Sequence, residues 1–147
     1  MKTPSSMPLK PLVQTLNDGV EFYRAAIAKA EHDDFKEVFA ELLDCRQFAL
    51  AYLQPYVVLE TGSQEDGHTF GGKLHHAYTA VQDNCNTDHD LTLLKQLEFV
   101  EDETLKAMKL ALTQSGNAMV QTVIRHLTPR MQTCRDRLTL LEKSIAA

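Results

Sequence analysis

Apolar residues recur every three or four positions from near the start of this chain to near its end, and little breaks that rhythm. Only 6 Gly and 5 Pro occur in 147 residues, and strand-type alternation is weak, so the helical period dominates. Such a chain must bury helix stripes against helix stripes. The first stripe is Leu9, Leu12, Leu16, Val20, Tyr23, Ile27 and Ala30, which predicts a helix over residues 9–31. After a turn at His32-Asp33, Asp34 and Glu37 make a capping-box-like start for a second helix running to residue 60. Its stripe reads Phe35, Phe39, Leu42, Arg46, Ala49, Leu53 and Tyr56, and Pro55 should bend its later part. The loop TGSQEDGHTFGG follows. A shorter helix is then predicted over residues 70–85, with Phe70, Leu74, Ala77, Val81 and Cys85 inward and His75 and His76 on the other side. A polar break over residues 84–90 leads to a helix over residues 90–113. Gln114-Ser115-Gly116-Asn117 is a tight connection, with Ser115 or Asn117 as N-cap. The last helix runs to residue 144 on the stripe Val120, Ile124, Leu127, Met131, Cys134, Leu138, Leu141 and Ile145. Pro129 costs about 3 kcal/mol inside a helix and should kink it.

Four long amphipathic helices and one shorter one imply an all-α bundle, a single domain over residues 9–147 behind a disordered lead-in over residues 1–8. The opening MKTPSSMPLKPL, broken by Pro4, Pro8 and Pro11, lacks the apolar stretch of a secretory signal. The two pairs of long helices joined by short turns should be antiparallel hairpins. The shorter helix between them, about 27 Å long, can run back along the bundle. That makes the second long helix parallel to the third, which is the ferritin-like crossover. A formal net charge of -5 disfavours nucleic acid as a partner. No apolar run approaches the roughly 18 residues of a membrane span. The three cysteines, Cys45, Cys85 and Cys134, form no C-x-x-C pair and suit reduced thiols in a cytoplasm. No zinc spacing, Ser-His-Asp, Cys-His or phosphate-loop pattern stands out.

The nearest thing to a chemical site is the run LEFVEDETLKAM over residues 97–108. Placed on a helix, Leu91, Leu94, Glu98, Glu101, Leu105, Met108 and Leu112 form an unbroken heptad seam. Asp102, which can pair with Lys106, and Glu103 lie on the polar side. Glu98 and Glu101 therefore replace two core residues one turn apart. Buried carboxylates need partners: a metal, cations, or a shared proton. At about the same level of the bundle stand Arg46 on the second helix's stripe, Arg135 at the edge of the last helix's stripe, and Tyr23 on the first helix. This predicts a buried ion-pair cluster of Glu98, Glu101, Arg46, Arg135 and Tyr23, because a guanidinium bonds carboxylates in a planar fork and stays charged. Cys45 and Cys134 read as small core hydrophobes; if both approach the cluster, redox sensitivity follows. His126 lies off its stripe and should be exposed.

The motifs LNDGVEFYRAA (16–26), RQFALAYL (46–53), GGKLHHAY (71–78), EFVEDETLKA (98–107) and RDRL (135–138) resemble an uncharacterised bacterial family of ferritin-like, rubrerythrin-like four-helix bundles, a domain of unknown function. The likeness covers most of the chain from Leu9 onward. In metal-binding ferritin-like proteins, Glu residues and Glu-x-x-His pairs converge on two metal ions. By that resemblance Glu98 and Glu101 stand for carboxylate ligands, with Glu21 as a third, and iron or manganese as the metals of an oxidoreductase-type protein. The comparable partner positions depart from the pattern: Leu43-x-x-Arg46 and Gln132-x-x-Arg135 hold no histidine, and Glu21 falls about 130° from its stripe. The favoured reading is a non-enzymatic, oligomeric protein, stress-related, with a degenerate site closed by ion pairs. The alternative is the metal-binding protein. Neither identifies a substrate.

Overall fold

The computed structural model describes residues 9–68 and 89–146. Among these residues it is all helical: α1 (Leu9–Lys29), α2 (Asp33–Thr61), α3 (His89–Gln114) and α4 (Ala118–Ala146). The lead-in and the helix predicted over residues 70–85, with His75, His76 and Cys85, lie outside the described residues.

Side-chain contacts give the helix directions. Tyr23 meets Glu101, while Glu31 and His32 meet Asp90, so α1 and α3 run antiparallel. Glu41 meets Arg137, Phe48 meets Arg130 and Tyr52 meets His126, so α2 and α4 also run antiparallel. With α1–α2 and α3–α4 each joined by a short turn, α2 and α3 point the same way. The closely packed pairs are α1 with α2, α3 with α4, α1 with α3, and α2 with α4. The bundle core thus has α1 diagonal to α4 and α2 diagonal to α3.

Several local expectations change. α1 stops at Lys29, two residues short of the predicted end, because the amides of Glu31 and His32 turn outward onto Asp90 at 2.8 and 2.9 Å. The N-cap of α2 is His32, with extended backbone (φ -95, ψ 133) and no capping side chain. Asp34 lies within the first turn, so the expected capping box with Glu37 does not form. α2 ends on Gly62, whose φ of 90 closes the helix through a bond to the Val58 carbonyl. For α4 the cap is Asn117, whose Oδ1 accepts from the amides of Met119 and Val120 at 2.8 and 3.3 Å. Pro55 and Pro129 both lie inside their helices. Each is exposed, and so are Ala51 and Arg125 one turn earlier, so the carbonyls left without a helix bond belong to solvent-facing residues.

The α3 seam is also rotated. The buried line is Leu94, Leu97, Glu101, Thr104, Met108 and Ala111, while Leu91, Glu98, Leu105 and Leu112 are half-buried. Small Thr104 and Ala111 turn inward and let α3 approach its neighbours, which counting large apolar side chains does not reveal. On α2, Val57 takes the inward place expected of Tyr56, and Ile145 at the end of α4 is exposed. The core divides into two apolar clusters. One holds Phe22, Phe39, Leu42, Leu97 and Leu138, and the other holds Leu12, Leu16, Leu53, Ile124 and Leu127. Arg46, Glu101 and Thr104 are buried polar residues outside both clusters, at the level where the two meet.

Candidate functional site

That polar layer is the candidate site. Three helices build it: α1 supplies Gly19 and Tyr23, α2 supplies Arg46, and α3 supplies Glu101 and Thr104. Arg46 and Glu101 are each 0% exposed. Arg46 Nη2 lies 2.9 Å from Glu101 Oε2, a charge contact whose N–H is not aligned as a hydrogen bond. The Tyr23 hydroxyl donates to the same oxygen at 2.5 Å. Arg46 Nη1 donates to Thr104 Oγ1 at 3.1 Å, and that hydroxyl in turn donates to the Val100 carbonyl at 2.9 Å. The guanidinium carbon sits 5.6 Å from the centre of the Tyr23 ring. Among the described residues, Arg46 Nε and Glu101 Oε1 are buried without a hydrogen-bond partner.

Gly19 makes room for this arrangement. A Cβ at Gly19 would stand 2.4 Å from the Arg46 guanidinium carbon and Nη1, and 2.6 Å from Nε. The guanidinium therefore lies flat against bare α1 backbone. Electrostatics follow the geometry. Burial and the neighbouring Glu101 carboxylate push the Tyr23 phenol well above its ordinary pKa of 10.0. Burial alone would lower Arg46, but Glu101 and Tyr23 outweigh it and keep the guanidinium charged.

Glu98 and Arg135 form a separate cluster nearer the surface. Arg135 Nη1 lies 2.8 Å from Glu98 Oε2 and its Nε lies 2.8 Å from Asp102 Oδ1, while Thr139 takes a further bond from Nη1. Glu98 is 13% exposed. Burial raises its pKa; Arg135 opposes this, and nearby Glu142 reinforces it. The expected five-residue cluster is thus two clusters, divided by the rotated α3 seam. Asp102 takes Arg135 in place of Lys106, and Lys106 pairs with Glu103 at 3.3 Å. Glu21 is 43% exposed and pairs with Arg24, away from the core. His126 is exposed against Tyr52.

Sequence reasoning missed Asp18. It is fully buried in α1, and His68 Nδ1 lies 2.9 Å from its Oδ1. His68 is led there by a loop stapled to the helices: Asn17 Nδ2 donates to the carbonyls of Glu65 and Gly67, and Gln54 exchanges two bonds with the Glu65 backbone. One signal pointed here. Asn17-Asp18-Gly19 is a poor helix-forming triplet in the middle of a helix, a local conflict that marks a special site.

These residues do not fit a di-metal group. Among the described residues, no three His, Cys, Asp or Glu side chains gather to hold a metal ion. A buried guanidinium already pairs with Glu101 through Oε2, and Glu21 pairs with Arg24 at the surface. Nor, among the described residues, is any helix long and apolar enough to cross a membrane.

Residues 6–114 match the domain of unknown function DUF2383, close to three-quarters of the chain. The chain belongs to this family. Compared with the curated proteins and the solved structures, it matches none. Within the DUF2383 match fall α1, α2 and α3, and with them every residue of the Arg46–Glu101–Tyr23 layer. Cys134 and Arg135, on α4, lie beyond it.

Proposed function

We propose that this DUF2383 chain is a single ferritin-like bundle domain over residues 9–147 whose di-metal centre is replaced by a closed ion-pair layer. It works without catalysis, by associating with copies of itself, in a cytoplasmic stress response. The observation that carries the reading is the Arg46 guanidinium, buried on Glu101 at 2.9 Å where seam carboxylates of a metal-binding bundle would converge. A fixed cation there repels a dication and engages the carboxylate oxygen a metal would use. Support for the fold comes from the parallel run of α2 and α3 between two antiparallel hairpins, the direction pattern of a ferritin-like crossover. Support for association comes from a shallow apolar groove of about 510 Å³ on α2 and the start of α4, where Tyr52, Leu59 and Met119 are exposed. The cytoplasm rests on the three cysteines without a disulfide framework.

The alternative uses Glu98, Glu101 and Glu21 as ligands for iron or manganese in oxidoreductase-type chemistry. Arg135 on Glu98 and the outward turn of Glu21 weaken it. Metal analysis of protein purified from medium rich in iron and manganese separates the two, with light scattering on the same samples to read the oligomer. The expected result is an oligomer with far less than one metal per chain, unchanged by Glu101→Gln. Stoichiometric iron or manganese that disappears in Glu98→Ala and Glu101→Ala would overturn the reading.

A further inference from the structure

We propose that Cys45 and Cys134 are a redox-active dithiol, which a hydroperoxide converts into a disulfide joining α2 to α4 beside the polar layer. The register of the two helices brings the thiols together. Glu41 pairs with Arg137 on one side of Cys45, and Phe48 lies under Arg130 at 5.0 Å on the other. Each contact moves down one helix as it moves up its antiparallel neighbour, which sets Cys45 level with Thr133 and Cys134. Both cysteines belong to one packed region: Cys134 is part of the apolar cluster around Phe39 and Leu42, and Cys45 packs against it. Both are free thiols, and each is the largest influence on the other's ionisation.

The pair is asymmetric, and the asymmetry assigns the roles. Cys134 is 3% exposed, whereas Cys45 is half-buried and within reach of a small oxidant. In the proposed pair the Cys134 S–H donates to the Cys45 sulfur. That bond lowers Cys45 from 9.0 to about 7; burial and Glu101 oppose the shift, and the Arg130 and Arg46 guanidiniums assist it. The same bond, with burial, drives Cys134 well above its ordinary value. Cys45 is then the thiolate that attacks and Cys134 the thiol that resolves.

The chemistry balances in two steps. The Cys45 thiolate attacks one oxygen of the peroxide, the O–O bond breaks, and the second oxygen leaves as hydroxide or alkoxide. Cys45 is left as a sulfenic acid. Cys134 sulfur then attacks the Cys45 sulfur, the S–O bond breaks, and the Cys134 proton leaves with the hydroxyl as water. Two electrons pass from the two sulfurs to the hydroperoxide. Thiol reductants reverse the product by exchange.

The test uses the full chain with Cys85→Ser, so that only this pair can bridge. Fully reduced protein is treated with hydrogen peroxide at pH 7, the remaining thiols are blocked, and the digest is mapped. The expected product is a Cys45–Cys134 linked peptide from within one chain. With Cys134→Ser, a cyclic 1,3-dione should trap the Cys45 sulfenic acid; with Cys45→Ser the folded chain should no longer consume peroxide. Serine at the buried Cys134 position risks the fold, so circular dichroism accompanies that variant and iodoacetamide labelling of the unsubstituted pair supplies an independent reading. Cys45 should label with a midpoint near pH 7, and roughly tenfold faster than Cys134 at that pH. Labelling of Cys45 near pH 9, or peroxide products that lack the intrachain link, would overturn the proposal.

Discussion

At the scale of single residues, the molecule turns on a contact between a missing side chain and a long one. Arg46 could be placed by spacing alone, since a charged residue stood on an otherwise apolar α2 stripe. Its fit against Gly19 could not, because nothing in a one-dimensional pattern says which backbone a guanidinium will lie upon. Two variants test the layer. Arg46→Ala strands the Glu101 carboxylate without its cation and should cost roughly 3–5 kcal/mol in urea unfolding. A loss under about 0.5 kcal/mol would mean that the pair contributes nothing to stability. Gly19→Ala drives a Cβ into the fully buried Arg46 guanidinium, which must then shift against its packed surroundings. Overpacking of this kind costs about 1–3 kcal/mol, against about 1 kcal/mol gained from alanine's helix propensity. The net effect should be destabilising in the native background and should change sign in the Arg46→Ala background, where only the propensity gain is left. Equal effects in the two backgrounds would show that Gly19 and Arg46 are not coupled.

Among elements, the four long helices were legible because each carries an apolar stripe of more than twenty residues' length, and their ends fell within a few residues of expectation. The phase of α3 was not. Two equally regular heptad seams run along it, and the one richer in leucine is not the one that faces inward. Thr104 and Ala111 win the interior because small side chains allow close approach, and Thr104 also gives Arg46 an acceptor. That phase decides which acid is central: Glu101 sits in the layer, while Glu98 moves to the rim and Arg135. Caps divide in the same way. Asn117 was one of two residues proposed to start α4 and does so with its own side chain, so Asn117→Ala should cost about 1 kcal/mol of stability. The melting transition should fall without change in the helix content of the folded state, as circular dichroism can show. No loss at all would mean that the Met119 and Val120 amides are satisfied by water at no penalty. The start of α2 was misread because the turn before it is fixed from outside the hairpin, by a carboxylate 58 positions further along the chain that accepts the His32 amide.

Across the whole molecule, that carboxylate joins the two hairpins. Asp90, at the start of α3, accepts the Glu31 and His32 amides and holds His32 Nδ1 at 2.6 Å. The clamp makes stability depend on pH at both ends of a window. The hydrogen bond and the charge of Asp90 raise His32 above its ordinary 6.5, helped by Glu31 and Asp34. Its contribution is complete below 6.5 and is lost as pH rises through the raised folded value. Burial alone would raise Asp90, but the two amides and His32 outweigh it and hold it below its ordinary 3.8. Its contribution is complete above 3.8 and is lost as pH falls through the lowered folded value. Glu98, with its pKa raised, adds a slope of its own: it favours the fold on the acid side and loses that effect as pH rises. The informative quantity is therefore the difference between the native chain and Asp90→Asn, in which the Glu98 term cancels. Urea unfolding from pH 3 to pH 9 should show that difference greatest between about 4 and 6.5 and shrinking on both sides. His32→Ala should remove the decline at high pH and shrink, without abolishing, the one at low pH, because the two amide bonds to Asp90 survive while the imidazole's share of its lowered pKa is lost. A difference that is flat across the whole range would mean that Asp90 acts as a neutral acceptor, and that the turn between α1 and α2 is held by its backbone alone.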